Sequence, residues 1–232
     1  IMTTLLHSIF PTVIYQRKFP DWQHWSDVLY QMKEYQFDPN EAQDGRYPLT
    51  GETRDKCMLH HDSTLNPFFS ALLNEVKECL HVANIKTDMI IPYIMKSWFT
   101  IKDFGDSMTP HTHASSDISF VYYVNPPDNS TITFYSENNN NCYAGGLFDT
   151  KPDPNRSIIG ELNYINSGIS SVKVERGDLL VFPSSLKHGV SGGSGKGTNI
   201  RSIAGDIKLL LDPKYTNLDT GMIHFDHWRT FE

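Results

Sequence analysis

The stretch PHTHASSDISFVYYVNPP, residues 110–127, has two histidines one residue apart, just before a run of β-branched and aromatic residues. Such a run, ended by the turn-forming residues Asn125, Pro126 and Pro127, is typical of a β-strand. Successive side chains of an extended chain point to opposite faces, so His111 and His113 point the same way. The pair therefore predicts two imidazoles that bind one metal ion, and the alternative is two polar residues at a strand end.

The strand pattern continues from about residue 89 to residue 212. Short segments rich in Ile, Val, Tyr and Phe alternate with turn signals such as Arg176-Gly177-Asp178. The segments are MIIPYIMKSWFTIKDF, DISFVYYVN, STITFYS, SVKVERGDLLVFP and NIRSIAGDIKLLL. This pattern predicts a mainly β, or α+β, fold in which a sandwich or barrel is buttressed by N-terminal helices.

Two helices are predicted ahead of these strands. Asp21 can cap the first helix, in which four apolar residues have helical spacing: Trp22, Trp25, Leu29 and Met32. Asn66 is the predicted N-cap of the second helix, and Pro67 suits a first helical residue. Its apolar stripe consists of Phe68, Phe69, Leu72, Val76 and Leu80. Residues 37–63, between the two helices, are polar and predicted to be a loop.

The length of 232 residues fits a single domain over 1–232. We divide it into a helical part of about 1–88, a β core of about 89–212 and a C-terminal tail of 213–232. Residues 137–170 form a long insertion rich in Asn, Gly and Pro, with Tyr143, Gly145 and Gly146. An insertion of this length is either a lid over a site or a surface loop.

The composition excludes several classes of function. The net charge is −7 and the basic residues are dispersed, which argues against nucleic-acid binding. No apolar run is long enough to cross a membrane, and no signal peptide is recognisable. The three cysteines, Cys57, Cys79 and Cys142, have no disulfide or zinc spacing, which favours the cytoplasm. We expect Met2 to be the natural first residue.

A third histidine and an arginine follow in the β core. In RGDLLVFPSSLKHGV, residues 176–190, a tight turn and an apolar strand lead to His188. Arg201 then opens the next strand. A buried arginine needs an anionic partner, because an unpaired buried charge is costly. That partner is either an aspartate, such as Asp178 or Asp206, or the carboxylate of a bound cosubstrate.

These parts resemble the iron(II)/2-oxoglutarate-dependent oxygenases, specifically a bacterial and phage branch near the prolyl-hydroxylase-like group. FGDSMTPHTH is similar to the stretch that leads to the first metal ligands, FVYYVN to the next strand, and GDLLVFPSSLKHGV to the strand and turn with the distal histidine. The resemblance covers about residues 95–210 and implies a double-stranded β-helix, or jelly roll. It implies metal binding by His111 and His188, and a 2-oxoglutarate site with Arg201 and Tyr123.

The chain departs from the family pattern at His113, which occupies the position of the carboxylate ligand in the H-x-D/E motif. Two histidines and one carboxylate leave open positions on Fe(II) for the cosubstrate and oxygen. Three neutral imidazoles leave the ion with one more positive charge. We therefore predict His111, His113 and His188 as ligands and catalytic residues. Two alternatives stay open: a carboxylate supplied by Asp117, or water or substrate in the place of His113.

If the resemblance holds, Fe(II) and 2-oxoglutarate are the cofactor and cosubstrate, and O2 is a reactant. A C–H bond of a small molecule, an amino acid or a peptide is then hydroxylated, with succinate and CO2 as co-products, in a bacterial or phage-infected cell. Two alternatives stay open: a cupin-like three-histidine enzyme without 2-oxoglutarate, and a non-catalytic jelly-roll binding protein. The second H-x-D pattern, His224 and Asp226, lies after Arg201 and is predicted to be structural.

Overall fold

The computed structural model describes residues 12–32, 58–102, 107–136, 167–190, 200–215 and 221–230. Two α-helices are present in these ranges, α1 (Trp22–Gln31) and α2 (Asn66–Val82). The strands are β1 (Tyr15–Lys18), β2 (Ile90–Lys102), β3 (Met108–His111), β4 (Ile118–Tyr123), β5 (Thr131–Tyr135), β6 (Ile169–Lys173), β7 (Asp178–Pro183), β8 (Lys187–Val190) and β9 (Ile200–Leu211). No helix in the described parts has the length and apolarity that a membrane crossing requires.

The strands form two antiparallel sheets with a nested order of pairing. The first sheet has the order β1-β7-β4-β9-β2, and the second has the order β3-β8-β5-β6. Among β2 to β9, the first strand pairs with the last, β3 with β8, β4 with β7, and β5 with β6. This nested pairing is that of one long antiparallel ribbon whose strands are distributed over two sheets. This is the jelly-roll, or double-stranded β-helix, architecture that the family resemblance implies.

The two faces of the first sheet pack against different layers. Phe120, Tyr122 and Ile203 face the helices and join the core cluster that contains α1 and α2. Tyr123 and Phe182 face the other way and pack with Phe134 of the second sheet, in a separate cluster between the sheets. The first sheet is therefore buried on both faces, which explains the near-continuous apolar sequences of β4 and β7.

The helix predictions are confirmed in their apolar faces and differ at their ends. The four predicted residues of α1 and the five of α2 all pack in or against the helix-side core. Asp21 occupies the N-cap position of α1 with φ of 50°, and its side chain makes no capping hydrogen bond. Leu65, not Asn66, occupies the N-cap position of α2, and Asn66 is already helical. The apolar spacing therefore predicted the buried face of each helix correctly. The capping predictions were less accurate, since Asp21 makes no capping hydrogen bond and Asn66 is not the N-cap residue.

Several sequence predictions fall outside the described residues. These include residues 137–166 of the proposed lid, with Tyr143, Gly145 and Gly146, and both Cys57 and Cys142. Residues 33–57 also lie outside, so the predicted loop is described only from residue 58, where a short 3₁₀ turn spans Leu59–His61. The division into helical part, β core and tail stays a prediction.

Candidate metal centre

The three predicted histidines lie together at one end of the second sheet. His111 of β3 and His188 of β8 are direct cross-strand partners. His113 follows two residues later, where its backbone N–H donates to the carbonyl of Ser184 at 3.0 Å. Each histidine offers one nitrogen, and these nitrogens lie within 4.8 Å of one another. The H-x-H spacing thus directs both side chains toward His188.

Hydrogen bonds on the outer nitrogens orient all three imidazoles. The Nδ1 atoms of His111 and His188 each lie 2.9 Å from a backbone carbonyl, that of Thr109 and that of Leu186. Nδ1 of His113 lies 2.5 Å from Oδ1 of Asp206. Because all three partners are acceptors, each Nδ1 must donate, and in the neutral ring Nε2 keeps its lone pair. This is the tautomer that a metal site needs.

The inner nitrogens have the spacing of neighbouring ligands. Nε2 of His111 and Nε2 of His113 are 3.2 Å apart. Two nitrogens bound at right angles, at the roughly 2.0–2.1 Å typical of metal–imidazole bonds, are about 3 Å apart. Two lone pairs at this distance repel each other unless a cation lies between them. The donor set therefore fits a divalent metal ion.

Burial keeps His188 in the form that binds metal. The residue is 4% exposed, and its neighbours include the ring of Phe182 at 4.7 Å between centroids. Burial, together with the nearby His111 and His113, lowers the pKa of His188 to about 4. At neutral pH its Nε2 is consequently unprotonated.

Asp206 is a site residue that the sequence reasoning missed. It is 5% exposed in β9 and accepts hydrogen bonds from His113 and, at 3.0 Å, from the hydroxyl of Ser119. Ser119 in turn lies 2.9 Å from the hydroxyl of Ser184. The available signal was an aspartate in the apolar strand sequence IAGDIKLLL, because a buried carboxylate needs donors.

The predicted clamp residue Arg201 does not join the histidines. Its side chain leaves β9 on the face opposite to that of Asp206, since five residues separate the two in a regular strand. Nη1 of Arg201 donates to the carbonyls of Met32 at 2.9 Å and Leu29 at 3.3 Å, at the end of α1. The predicted contact of Arg201 with a cosubstrate bound at the histidines stays a prediction. The predicted aspartate partners lie elsewhere as well: Asp206 on His113, and Asp178 on Lys18.

Tyr123 lies on the inner face, with Asp206 and Ser119. It packs in the cluster between the sheets with Phe134 and Phe182, both of which contact the ring of His188. Burial raises the pKa of its phenol, and the carboxylate of Asp178 adds to this effect. Tyr123 is therefore a neutral hydrogen-bonding group inside the jelly roll.

The two other carboxylate sites suggested by the sequence are structural. Asp117 accepts from Nζ of Lys208 at 2.9 Å and from the backbone N–H of Leu209 at 2.8 Å. His224 is buried, and its Nε2 lies 2.6 Å from the hydroxyl of Tyr93. Among the described residues, the three histidines form the group suited to hold a metal ion.

The sequence of the β core matches a family model. Residues 96–205 match the family described as "Putative 2OG-Fe(II) oxygenase". The β core is therefore similar to the 2OG-Fe(II) oxygenases. A comparison with curated proteins gave no match.

Several solved structures are also similar to this chain. A prolyl-4-hydroxylase of Pseudomonas putida is 16% identical, with 87% of this chain and 88% of that chain covered and a TM-score of 0.43. Apo HygX of Streptomyces hygroscopicus is 11% identical, with coverages of 84% and 81% and a TM-score of 0.41. AviO1 of Streptomyces viridochromogenes is 13% identical, with coverages of 53% and 52% and a TM-score of 0.32. The present chain thus spans about half the length of AviO1.

One buried polar group beside the histidines has no hydrogen-bond partner among the described residues. The ring of Trp98, in β2, lies 5.8 Å from the ring of His113 between centroids, and the residue is 6% exposed. Its Nε1 is the buried side-chain nitrogen or oxygen that lacks a hydrogen bond among the described residues. Leaving a buried donor unpaired costs about 1–3 kcal/mol. This cost is removed if a bound ligand supplies an oxygen.

Proposed function

We propose that the protein is a non-haem Fe(II)- and 2-oxoglutarate-dependent dioxygenase that hydroxylates a small molecule, an amino acid or a peptide. The observation that carries this proposal is the convergence of three oriented histidine nitrogens within 4.8 Å. The match of residues 96–205 to an oxygenase family model supports it. In the proposed reaction O2 is a reactant, and succinate and CO2 are the co-products.

His111, His113 and His188 would hold the metal through Nε2. When bound, Fe(II) with 2-oxoglutarate would supply the chemistry by which O2 hydroxylates a C–H bond. The chain contributes position and a dry cavity. Phe134 and Phe182 contact His188 from the interior and exclude water from that side of the centre.

Two inner-face residues are suited to the cosubstrate or the substrate. Tyr123 offers a buried neutral hydroxyl, and Trp98 offers an unpaired indole N–H among the described residues. Both can donate to carboxylate or carbonyl oxygens. We retain Tyr123 as a proposed cosubstrate contact and add Trp98. Arg201 is not retained, because it binds the end of α1.

A second candidate function is favoured by one specific observation. A three-histidine oxygenase of the cupin type does not require a cationic clamp for 2-oxoglutarate. The orientation of Arg201 toward Met32, together with His113 in place of a carboxylate ligand, favours this alternative. Both candidates predict Fe(II) binding, and only the first predicts chelation of 2-oxoglutarate.

We also propose a cytoplasmic location and a partner set without nucleic acid or membrane. The net charge of −7 and the dispersed basic residues support a substrate other than nucleic acid. The odd number of cysteines, far apart in sequence, supports a reducing compartment.

The test is an anaerobic titration of the metal-free protein with Fe(II), followed by 2-oxoglutarate. We expect a visible charge-transfer band from the chelated 2-oxo acid. His111→Gln should abolish it, and His61→Gln, an exposed histidine outside the centre, should leave it unchanged. Iron binding without a band would favour the cupin-type function, and absence of iron binding would overturn both.

Tyr123→Phe and Tyr122→Phe form a matched pair for the cosubstrate contact. The two tyrosines are adjacent but lie on opposite faces of β4, and the hydroxyl of Tyr122 contacts Ser26 at 2.8 Å on the helix side. We expect the Tyr123→Phe variant to need a higher concentration of 2-oxoglutarate to reach the same charge-transfer absorbance. Equal titrations for both variants would remove Tyr123 from the proposed site.

A further inference from the structure

The carboxylate of Asp206 lies behind His113 and is paired with its imidazole. Among the described residues, the ion pair made by Asp206 is the one with His113, at 2.5 Å between Oδ1 and Nδ1. Its other hydrogen bond comes from the neutral hydroxyl of Ser119. A buried carboxylate without a nearby cation is costly. The charge of Asp206 is therefore directed through the imidazole of His113 toward the histidine cluster.

We propose that Asp206 supplies, from behind His113, the negative charge that a carboxylate ligand in the place of His113 would otherwise provide. This inference rests on the proposed function, because it requires that the three histidines bind a divalent metal. Asp206 is a positioning residue in this scheme, since it acts through His113 and does not touch the metal.

The physical basis is the interaction of the outer partner with the ligand. A carboxylate that accepts from Nδ1 makes Nε2 more electron-rich and fixes its direction. It also lies close enough to offset part of the metal's charge in a medium of low polarity. Three imidazoles alone would leave a divalent ion uncompensated. With Asp206, two of the three imidazoles that would hold the ion have a backbone carbonyl behind them, and the third has a carboxylate.

The surroundings of Asp206 support a role in the centre rather than in the sheet alone. Ser119, Ser184 and Ser116 form a chain of hydroxyl contacts that ends at Asp206, with distances of 2.9, 2.9 and 3.0 Å. These groups hold the carboxylate in place but contribute no charge. The metal ion that the three histidines would bind supplies the positive charge that the carboxylate of Asp206 otherwise lacks in this pocket.

The test is Co(II) binding by the full chain, followed by the visible absorption of the ion and by calorimetry without turnover. We expect Asp206→Asn, which retains an acceptor but removes the charge, to weaken Co(II) binding about 10- to 100-fold. Asp117→Asn is the matched control, since it removes the other carboxylate considered as a ligand. It should bind Co(II) as the wild type does.

Moving the charge separates an electrostatic role from a structural one. The double variant His113→Asp/Asp206→Asn places a carboxylate at the ligand position and removes the one behind it. We expect its Co(II) affinity to recover to within about tenfold of the wild type. A purely structural role of Asp206 predicts no recovery, and that result would overturn the inference.

The remaining outcomes are also decisive. Unchanged affinity in Asp206→Asn, or an equal loss in Asp117→Asn, would overturn the role of Asp206 while leaving the proposed function intact. If Asp206→Asn does not fold, Ser119→Ala removes one donor to Asp206 as a milder change, and we expect a severalfold loss of affinity. Unchanged affinity in that variant would overturn the inference. No Co(II) binding by the wild type would overturn the proposed function itself.

Discussion

The guanidinium of Arg201 donates to the carbonyl oxygen of Met32 at 2.9 Å, so that an arginine of β9 binds the C-terminal end of α1. The last carbonyls of a helix have no partner within the helix and carry partial negative charge. Arg201 is 1% exposed, and it also lies over the ring of Tyr30 at 5.3 Å. It therefore joins the helical layer to the jelly roll.

Replacing Arg201 should lower stability and spare the metal centre. We expect Arg201→Met to reduce the free energy of unfolding by about 2–3 kcal/mol, since buried carbonyls lose a charged donor. Urea unfolding measures this change. Arg176→Met is the control, because its exposed pair with Asp27 is worth at most about 1 kcal/mol. Loss of the 2-oxoglutarate band at unchanged stability would instead return Arg201 to the cosubstrate site.

Trp98→Phe should affect ligand binding more than folding. The change removes an unpaired buried donor, so the free protein loses only packing, about 1–2 kcal/mol in unfolding free energy. The ligand loses a hydrogen bond, and we expect about tenfold weaker binding of 2-oxoglutarate in the charge-transfer titration. Trp25→Phe, in the helix layer, should leave the titration unchanged. Identical titrations for both variants would contradict a role of Trp98 in binding.

The protein should lose stability as the pH falls from about 6.5 to about 4. Burial lowers the pKa of His60 to about 4, and its Nδ1 lies 2.9 Å from the hydroxyl of Ser97. The unfolded chain, with an ordinary histidine pKa near 6.5, takes up the proton first, so acid favours unfolding in this range. The urea midpoint at pH 7 and at pH 5 measures the effect.

His60→Gln should reduce that pH dependence, because one of the depressed histidines is removed. His81→Gln, on the exposed side of α2, should retain the wild-type pH dependence. His188 contributes in the same direction, so part of the decline persists in His60→Gln. A decline that is identical in all three proteins would show that His60 does not contribute.

Two glycines offer a matched test of packing. A Cβ at Gly205 would lie 2.5 Å from the carbonyl of Lys96 and from the ring of Phe120, whereas a Cβ at Gly221 meets no described atom within 4 Å. We expect Gly205→Ala to lower the free energy of unfolding by about 1–3 kcal/mol. Gly221→Ala should change it by less than about 0.5 kcal/mol. Equal unfolding midpoints would contradict the close packing of β9 on β2 and β4.

Much of the architecture could be predicted from local sequence patterns. Runs of β-branched and aromatic residues between turn residues predicted strands of the β core but not β1, and helical spacing predicted the buried faces of α1 and α2. The nested pairing of β2 with β9 and of β3 with β8 could be anticipated only through the family resemblance. Strand periodicity contains no information on which distant strands pair, because pairing depends on contacts far apart in sequence.

The features of the metal centre also divide into those that the sequence determines and those that only the tertiary structure decides. The sequence alone determined that His111 and His113 share a face, because a strand repeats every two residues. The tertiary structure decided which face of β9 lines the interior: Asp206 lies behind His113, and Arg201 turns to the helices. Periodicity assigns residues to two faces but does not say which is inside when both are buried. That choice depends on how the helices and the second sheet pack on either side.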